Sequence, residues 1–209
     1  MALRAVAFDY GRVLSGPPHP EAYESLQQIT RLSQGEFEER YWVDRLAYDR
    51  GDLSGLAFWK KFVGDASLNL SDVEVARLSE TDASMWTTAN AEMLDWHRRL
   101  KEHGFRTAIL SNMGDSVLEN IERTFAWISG FDVLVWSYQH GMVKPEPEIY
   151  NLLLERLGTS AEETLFLDDK LENIEAARQL GIQALQFSSV DRLRDDLVSE
   201  GFDRWLPLP

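Results

Sequence analysis

Four short apolar runs each end on residues able to do chemistry. Ala5-Val6-Ala7-Phe8 ends in Asp9, and Thr107-Ala108-Ile109-Leu110 ends in Ser111-Asn112. Val133-Leu134-Val135-Trp136 is followed by Lys144-Pro145, and Thr164-Leu165-Phe166-Leu167 closes on Asp168-Asp169. Runs of this length read as buried strands. As parallel neighbours in one sheet they would share a C-terminal edge, the place where open α/β sheets bind ligands. Carboxylates, a hydroxyl and an ammonium meeting there would suit a divalent metal, a phosphate and an attacking oxygen.

Each residue alone has an ordinary structural explanation. A carboxylate before a glycine, as in Asp9-Tyr10-Gly11, often only caps a turn. Asp168 or Asp169 could cap the helix that follows. Adjacent carboxylates nevertheless repel each other unless a cation or a proton lies between them, and hard cations prefer oxygen ligands. Together with Asp9 they form a candidate Mg²⁺ site. Ser111 precedes Asn112-Met113-Gly114-Asp115, where a hydroxyl and free N–H groups at a helix start make an anion site. Lys144 lies in a loop that must be extended before Pro145.

The elements that must position these residues alternate regularly from residue 90 onward. Helical patterns over 91–103, 115–127, 146–157 and 171–180 separate strands at 107–110, 133–136, 164–167 and 182–187, the rhythm of βα units feeding a parallel sheet. Gly104, Gly158 and Gly181 stop helices, and Pro147 stands in a first turn. The tail 190–201 is helical, and Trp205-Leu206-Pro207 packs back on the body. Residues 19–83 do not join this rhythm. After Ser15-Gly16-Pro17-Pro18-His19-Pro20 they form helices over 20–32, 35–49, 54–63 and 71–80, an all-helical insertion with a return linker over 83–90.

The 209 residues and 44% hydrophobic content suit one globular domain with a small insertion. The absence of cysteine excludes disulfides, thiolate metal sites and thiol nucleophiles, and the default location is the cytoplasm. Residues 1–8 resemble neither a signal peptide nor a membrane span. A net charge of -14 opposes binding to nucleic acid and to anionic membranes. The same charge repels a phosphorylated substrate, so a phosphate site needs a local cluster of metal and Lys.

In order along the chain, Phe8-Asp9-Tyr10-Gly11-Arg12-Val13-Leu14, Leu110-Ser111-Asn112, Lys144-Pro145 and Phe166-Leu167-Asp168-Asp169 with Asn173 resemble the four motifs of the haloacid dehalogenase-like hydrolase superfamily. The likeness spans residues 5–187. It implies an α/β fold, with a Rossmann-like parallel sheet core over 1–18 and 84–209 and an inserted all-helical cap over 19–83. Arg50-Gly51-Asp52-Leu53-Ser54 and the first motif look most like the branch holding α-D-glucose-1-phosphate phosphatases and the epoxide hydrolase N-terminal domain.

The resemblance implies a phosphatase in which Asp9 attacks phosphorus to give an aspartyl-phosphate. Ser111, Asn112 and Lys144 would hold the phosphoryl oxygens. Mg²⁺ would be held by Asp9, the carbonyl of Gly11 and Asp169, with Asp168 as a ligand or just behind it, and Asn173 would orient that motif. The partner implied is a small phosphorylated metabolite of the kind that includes sugar phosphates. Gly11 departs from the family, which usually carries a proton-transferring Asp there. Without a substitute, the rate should depend steeply on leaving-group pKa; His19, Tyr23, Asp49 and Arg50 are the cap residues that could supply a proton. Two alternatives remain: a haloacid dehalogenase, whose halide leaves without a proton, and a catalytically weakened ligand-binding protein.

Overall fold

The computed structural model describes residues 2–209; Met1, the first residue of the expected core segment, lies outside the described residues. Five parallel strands form the sheet: β1 (Ala5–Phe8), β2 (Arg106–Ser111), β3 (Val133–Trp136), β4 (Thr164–Asp168) and β5 (Gln183–Gln186). Their order is β3-β2-β1-β4-β5, so the chain winds outward one way from β1 and then returns to its other side. Phe8 is level with Ile109 on β2 and with Leu167 on β4. Asp9, Ser111 and Asp168 therefore leave the sheet at one edge, at the point where the winding reverses.

Every residue of β1 and β4 is buried. Strands covered on both faces need apolar residues at every position, which is why these runs do not alternate with polar residues. The alternation lies instead in which core each residue joins. Val6 and Phe8 pack with Met93, Trp96 and Leu100 of α6 (Ala91–Glu102), Val117 and Ile121 of α7 (Asp115–Thr124), and Leu193 and Leu197 of a later helix, Val190–Ser199. Ala5 and Ala7 face the opposite side. They pack with Ile149, Tyr150 and Leu153 of the helix Pro147–Leu157, and with Ile174 and Ala177 of the helix Leu171–Gln179. The first of these two ends on Gly158, whose φ of 63° is a left-handed stop.

Between β1 and α6 the chain forms α1 (Pro20–Thr30), α2 (Gln34–Val43), α3 (Arg45–Arg50), α4 (Gly55–Asp65) and α5 (Asp72–Ser84). The single helix expected over 35–49 is thus two helices, broken at Asp44, and the second packs against the turn Ser137–Gln139 of the sheet-bearing part. The helix expected over 115–127 likewise stops at Thr124. Phe125 is extended there, and its ring packs on Trp127 in the 3-10 turn that follows. The two connections to the insertion are tied to each other: Gly16 N–H reaches the Thr88 carbonyl at 2.7 Å, and Asn90 N–H reaches Leu14 at 2.8 Å. At the C-terminus, Leu206 is buried and Trp96 Nε1 donates to the Pro207 carbonyl at 2.6 Å, whereas Trp205 faces solvent. No helix among the described residues is long and apolar enough to cross a membrane.

Candidate active site

Asp9 follows β1 directly, and its N–H is bonded to the Leu167 carbonyl at 2.8 Å, so β4 fixes where it stands. Its Oδ1 accepts the Tyr10 N–H at 2.7 Å and lies 2.9 Å from Lys144 Nζ. The same ammonium donates to Asp168 Oδ2 at 2.6 Å and to the Leu110 carbonyl at 3.0 Å. Burial pushes the Asp9 carboxyl up to about 6; Lys144 opposes the rise, Asp168 adds to it, and Ser111 is close enough to oppose it. Burial alone would lower Lys144, but Asp168 and Asp9 outweigh it and hold the ammonium above its ordinary range.

Asp168 is fully buried and its oxygens are satisfied. Besides Lys144 it takes the Lys170 N–H at 2.8 Å and the Asn173 amide at 3.0 Å on both oxygens. Asp169 turns the other way, with Arg12 Nε 3.8 Å from its carboxylate, and burial followed by the charge of Asp168 raises it above its ordinary value. Arg12 is held at φ 59°, a conformation that costs a side-chain-bearing residue energy and is found mostly where surrounding structure enforces it. Gly11, by contrast, has φ -63° and ψ 128°, which any residue can adopt. Asn112 clamps the Lys144 main chain from both sides: its Oδ1 accepts the Lys144 N–H and its amide donates to the Lys144 carbonyl, each at 2.8 Å. Its side chain is thereby committed to placing Lys144.

These residues floor a cavity of about 260 Å³. Asp9, Gly11, Ser111, Asn112, Lys144 and Asp169 all line it, and Asp168 sits behind them. Pro18, Trp86, Met113 and Val117 supply an apolar wall, and the insertion adds Trp42, Arg45 and Asp49 to the lining. Of the insertion's other aromatics, Tyr41, Tyr48 and Trp59 are buried.

Carboxylate oxygens of Asp9, Asp168 and Asp169 lie within 4.8 Å of one another. Lys144 pairs with two of these carboxylates, Asp9 and Asp168, while the exposed Arg12 stands 3.8 Å from the third, and Asn173 Oδ1 is buried nearby with no partner among the described residues. An all-oxygen set short of positive charge fits a hard divalent cation such as Mg²⁺.

Of the four residues that could replace the missing acid, only Asp49 lines the cavity. His19 is exposed, Tyr23 donates to Glu38 at 2.9 Å, and Arg50 forms a two-point pair with Glu146. Sequence reasoning did not find the cluster around Asp49. Arg45 and Asp49 stand one helical turn apart, a visible signal, but their partner Asp82 lies on α5 with nothing local to announce it.

Residues 3–181 match the family model of the haloacid dehalogenase-like hydrolases. The chain is 29% identical over 215 residues to bifunctional epoxide hydrolase 2 of Mus musculus, covering 93% of this chain and 38% of the mouse protein, so it spans well under half the length of that relative. It is 28% identical over 187 residues to a sesquiterpene phosphatase of Aspergillus oryzae, covering 88% of this chain and 90% of that one. A haloacid dehalogenase family enzyme from Bacteroides thetaiotaomicron, solved in complex with magnesium and inorganic phosphate, superimposes with a TM-score of 0.74 at 24% identity, covering 90% of this chain and 95% of that one. With the four motifs gathered at one sheet edge and the match covering most of its length, the chain belongs to the haloacid dehalogenase-like hydrolase family.

Proposed function

We propose that the chain is a Mg²⁺-dependent phosphatase that hydrolyses a small phosphomonoester through an aspartyl-phosphate on Asp9. The observation that carries this reading is the meeting of Asp9, Ser111, Lys144 and Asp169 on one cavity floor. In it, residues 1–18 and 84–209 form the catalytic core and 19–83 the cap. The Asp9 carboxylate attacks phosphorus; Lys144, 2.9 Å away, offsets the repulsion between that carboxylate and the phosphate. Ser111 and the main chain of Asn112 bind phosphoryl oxygens. Asp168 and Asn112 fix Lys144 from behind and above.

Asp9, the carbonyl of Gly11 and Asp169 would hold Mg²⁺, as the magnesium and phosphate complex of the Bacteroides relative encourages. When bound, the ion would draw charge from the phosphoryl oxygens. Pro18, Trp42 and Trp86 accept the carbon skeleton of the leaving alcohol, so the substrate is a small phosphorylated metabolite.

The test is turnover of p-nitrophenyl phosphate. It should require Mg²⁺ and fall to background in Asp9→Asn, because an amide is a poor nucleophile and a weaker ligand. Full activity after chelation would overturn the metal assignment, and wild-type turnover by Asp9→Asn would overturn the covalent mechanism.

A further inference from the structure

Gly11 places no proton donor beside the nucleophile, yet an alcohol leaves phosphorus poorly as the bare alkoxide. We propose that Asp49, contributed by α3, is the general acid for the leaving oxygen and the general base for the hydrolytic water; the assignment rests on the phosphatase reading above. Asp49 enters the cavity from the insertion, whereas Asp9 rises from its floor. Its Oδ1 accepts Arg45 Nε at 3.1 Å, and among the described residues Oδ2 accepts no hydrogen bond. Its main chain is referenced to the sheet edge. The Ser137 hydroxyl donates to the Asp49 carbonyl and accepts the Met113 N–H, two residues past Ser111.

Charge explains why this carboxyl would carry a proton. Among the described residues Arg45 is the one guanidinium between Asp49 and Asp82, and the side chains of all three are at most 13% exposed. Asp82 is fully served, by Arg45 Nη1 at 3.2 Å to each oxygen and by the Tyr41 hydroxyl at 2.7 Å. Two carboxylates on one cation leave an excess negative charge in a largely dry site, and a proton on Asp49 removes it at the oxygen that has no other partner. Burial raises the Asp49 carboxyl above its ordinary value and Asp82 adds to the rise, while Arg45 and, more weakly, Lys170 pull it down.

In the first step the Asp9 carboxylate forms a bond to phosphorus, the ester P–O bond breaks, and the Asp49 proton passes to the departing oxygen, which leaves as the alcohol. In the second, water attacks phosphorus while the Asp49 carboxylate takes its proton. The bond to Asp9 breaks, releasing inorganic phosphate and restoring protonated Asp49 and ionised Asp9.

The experiment is pre-steady-state turnover of aryl and alkyl phosphates by the Mg²⁺-loaded full chain. In Asp49→Asn, p-nitrophenyl phosphate should still give a burst of one nitrophenolate per enzyme, since that group leaves without a proton. Steady-state turnover should then be slower by about 10² to 10⁴, the usual worth of general acid–base help. Alkyl phosphates should lose the burst as well. Adding Gly11→Asp to Asp49→Asn should restore alkyl turnover, because the backbone there suits any residue and a Cβ on Gly11 would meet only the Trp86 ring at 3.7 Å.

Unchanged alkyl turnover in Asp49→Asn, or an equal loss for aryl and alkyl substrates without a burst, would overturn the proposal. If that variant does not fold, log kcat/KM of the wild type against leaving-group pKa decides: a shallow slope supports Asp49, and a steep one removes it. Asp9-independent turnover would instead mark failure of the phosphatase reading.

Discussion

Asp9 is placed where its charge is useful and costly. Its folded carboxyl titrates near 6 against an ordinary 3.8, chiefly because it is buried. Between those values the native state binds more protons than the unfolded chain, so stability falls as pH rises through the window. At neutral pH the native fold therefore holds a carboxylate that an uncharged group would occupy more comfortably. Asp9→Asn mimics the neutral form. In the presence of a chelator it should be more stable than wild type at pH 7 by on the order of 1–3 kcal/mol, and the gain should vanish below the ordinary carboxylate value. Thermal unfolding of the two proteins across that pH range checks this, and a destabilised Asp9→Asn at pH 7 would mean that Lys144 depends on Asp9 more than burial penalises it.

At the scale of elements, the site is completed only when the insertion sits down on α7, and the seat is cut to shape by small residues. A Cβ on Gly114, at the start of α7, would lie 2.1 Å from Tyr48 Cε2 and 2.2 Å from its Cζ. Tyr48 cannot swing away, because it is buried and stacked on Phe58 at 5.2 Å. Gly55 N–H is bonded to Asp115 at 2.9 Å, and Arg50 locks to Glu146 beyond. Gly114 has φ -79°, so alanine there would be unstrained in its own backbone and would act only through the contact. Gly114→Ala should cost about 1–3 kcal/mol by overpacking, lower Tm and reduce kcat/KM by lifting Asp49 off the sheet edge. Tyr48→Ala in the same chain should recover part of the lost activity. Simple addition of the two losses would show that the ring and Gly114 are not in contact.

The whole molecule carries a net charge of -14, and the proposed reaction uses an anion. Repulsion at long range is screened by salt, whereas Lys144 in the cavity is buried and screened little. The second-order rate constant for a phosphomonoester should therefore rise with added inert salt up to physiological ionic strength, where the screening length is about 8 Å. A steady fall over that range would show that the cations of the cavity, Lys144, Lys170, Arg12 and Arg45, already govern the approach of substrate.

The strands and the order of their terminal residues were legible in the sequence because each rests on a local pattern. Ala5–Phe8 and Val133–Trp136 are apolar throughout, and Gly and Pro punctuate the helices between them. The run of helices between β1 and α6 was legible for the same reason, as a stretch that breaks the βα rhythm. Helix ends within it were less so: packing of Arg45–Arg50 against the 137–139 turn, not propensity, accompanies the break at Asp44.

What the tertiary structure decided is the placement and the partners of residues already in view. Asp168 and Asp169 are neighbours with the same chemistry, yet one is withdrawn behind Lys144 and the other faces the cavity, because β4 ends at Asp168 and Asp169 already stands in the bend that follows. Asn112 looked like an anion ligand and has its side chain spent on Lys144. Asp49 could be separated from His19, Tyr23 and Arg50 only when all four had been placed, since its distinction is a guanidinium shared with Asp82, 33 positions away on another helix. Hydrophobic periodicity is a property of neighbours along the chain, whereas a carboxyl's partners and its burial belong to the docked fold.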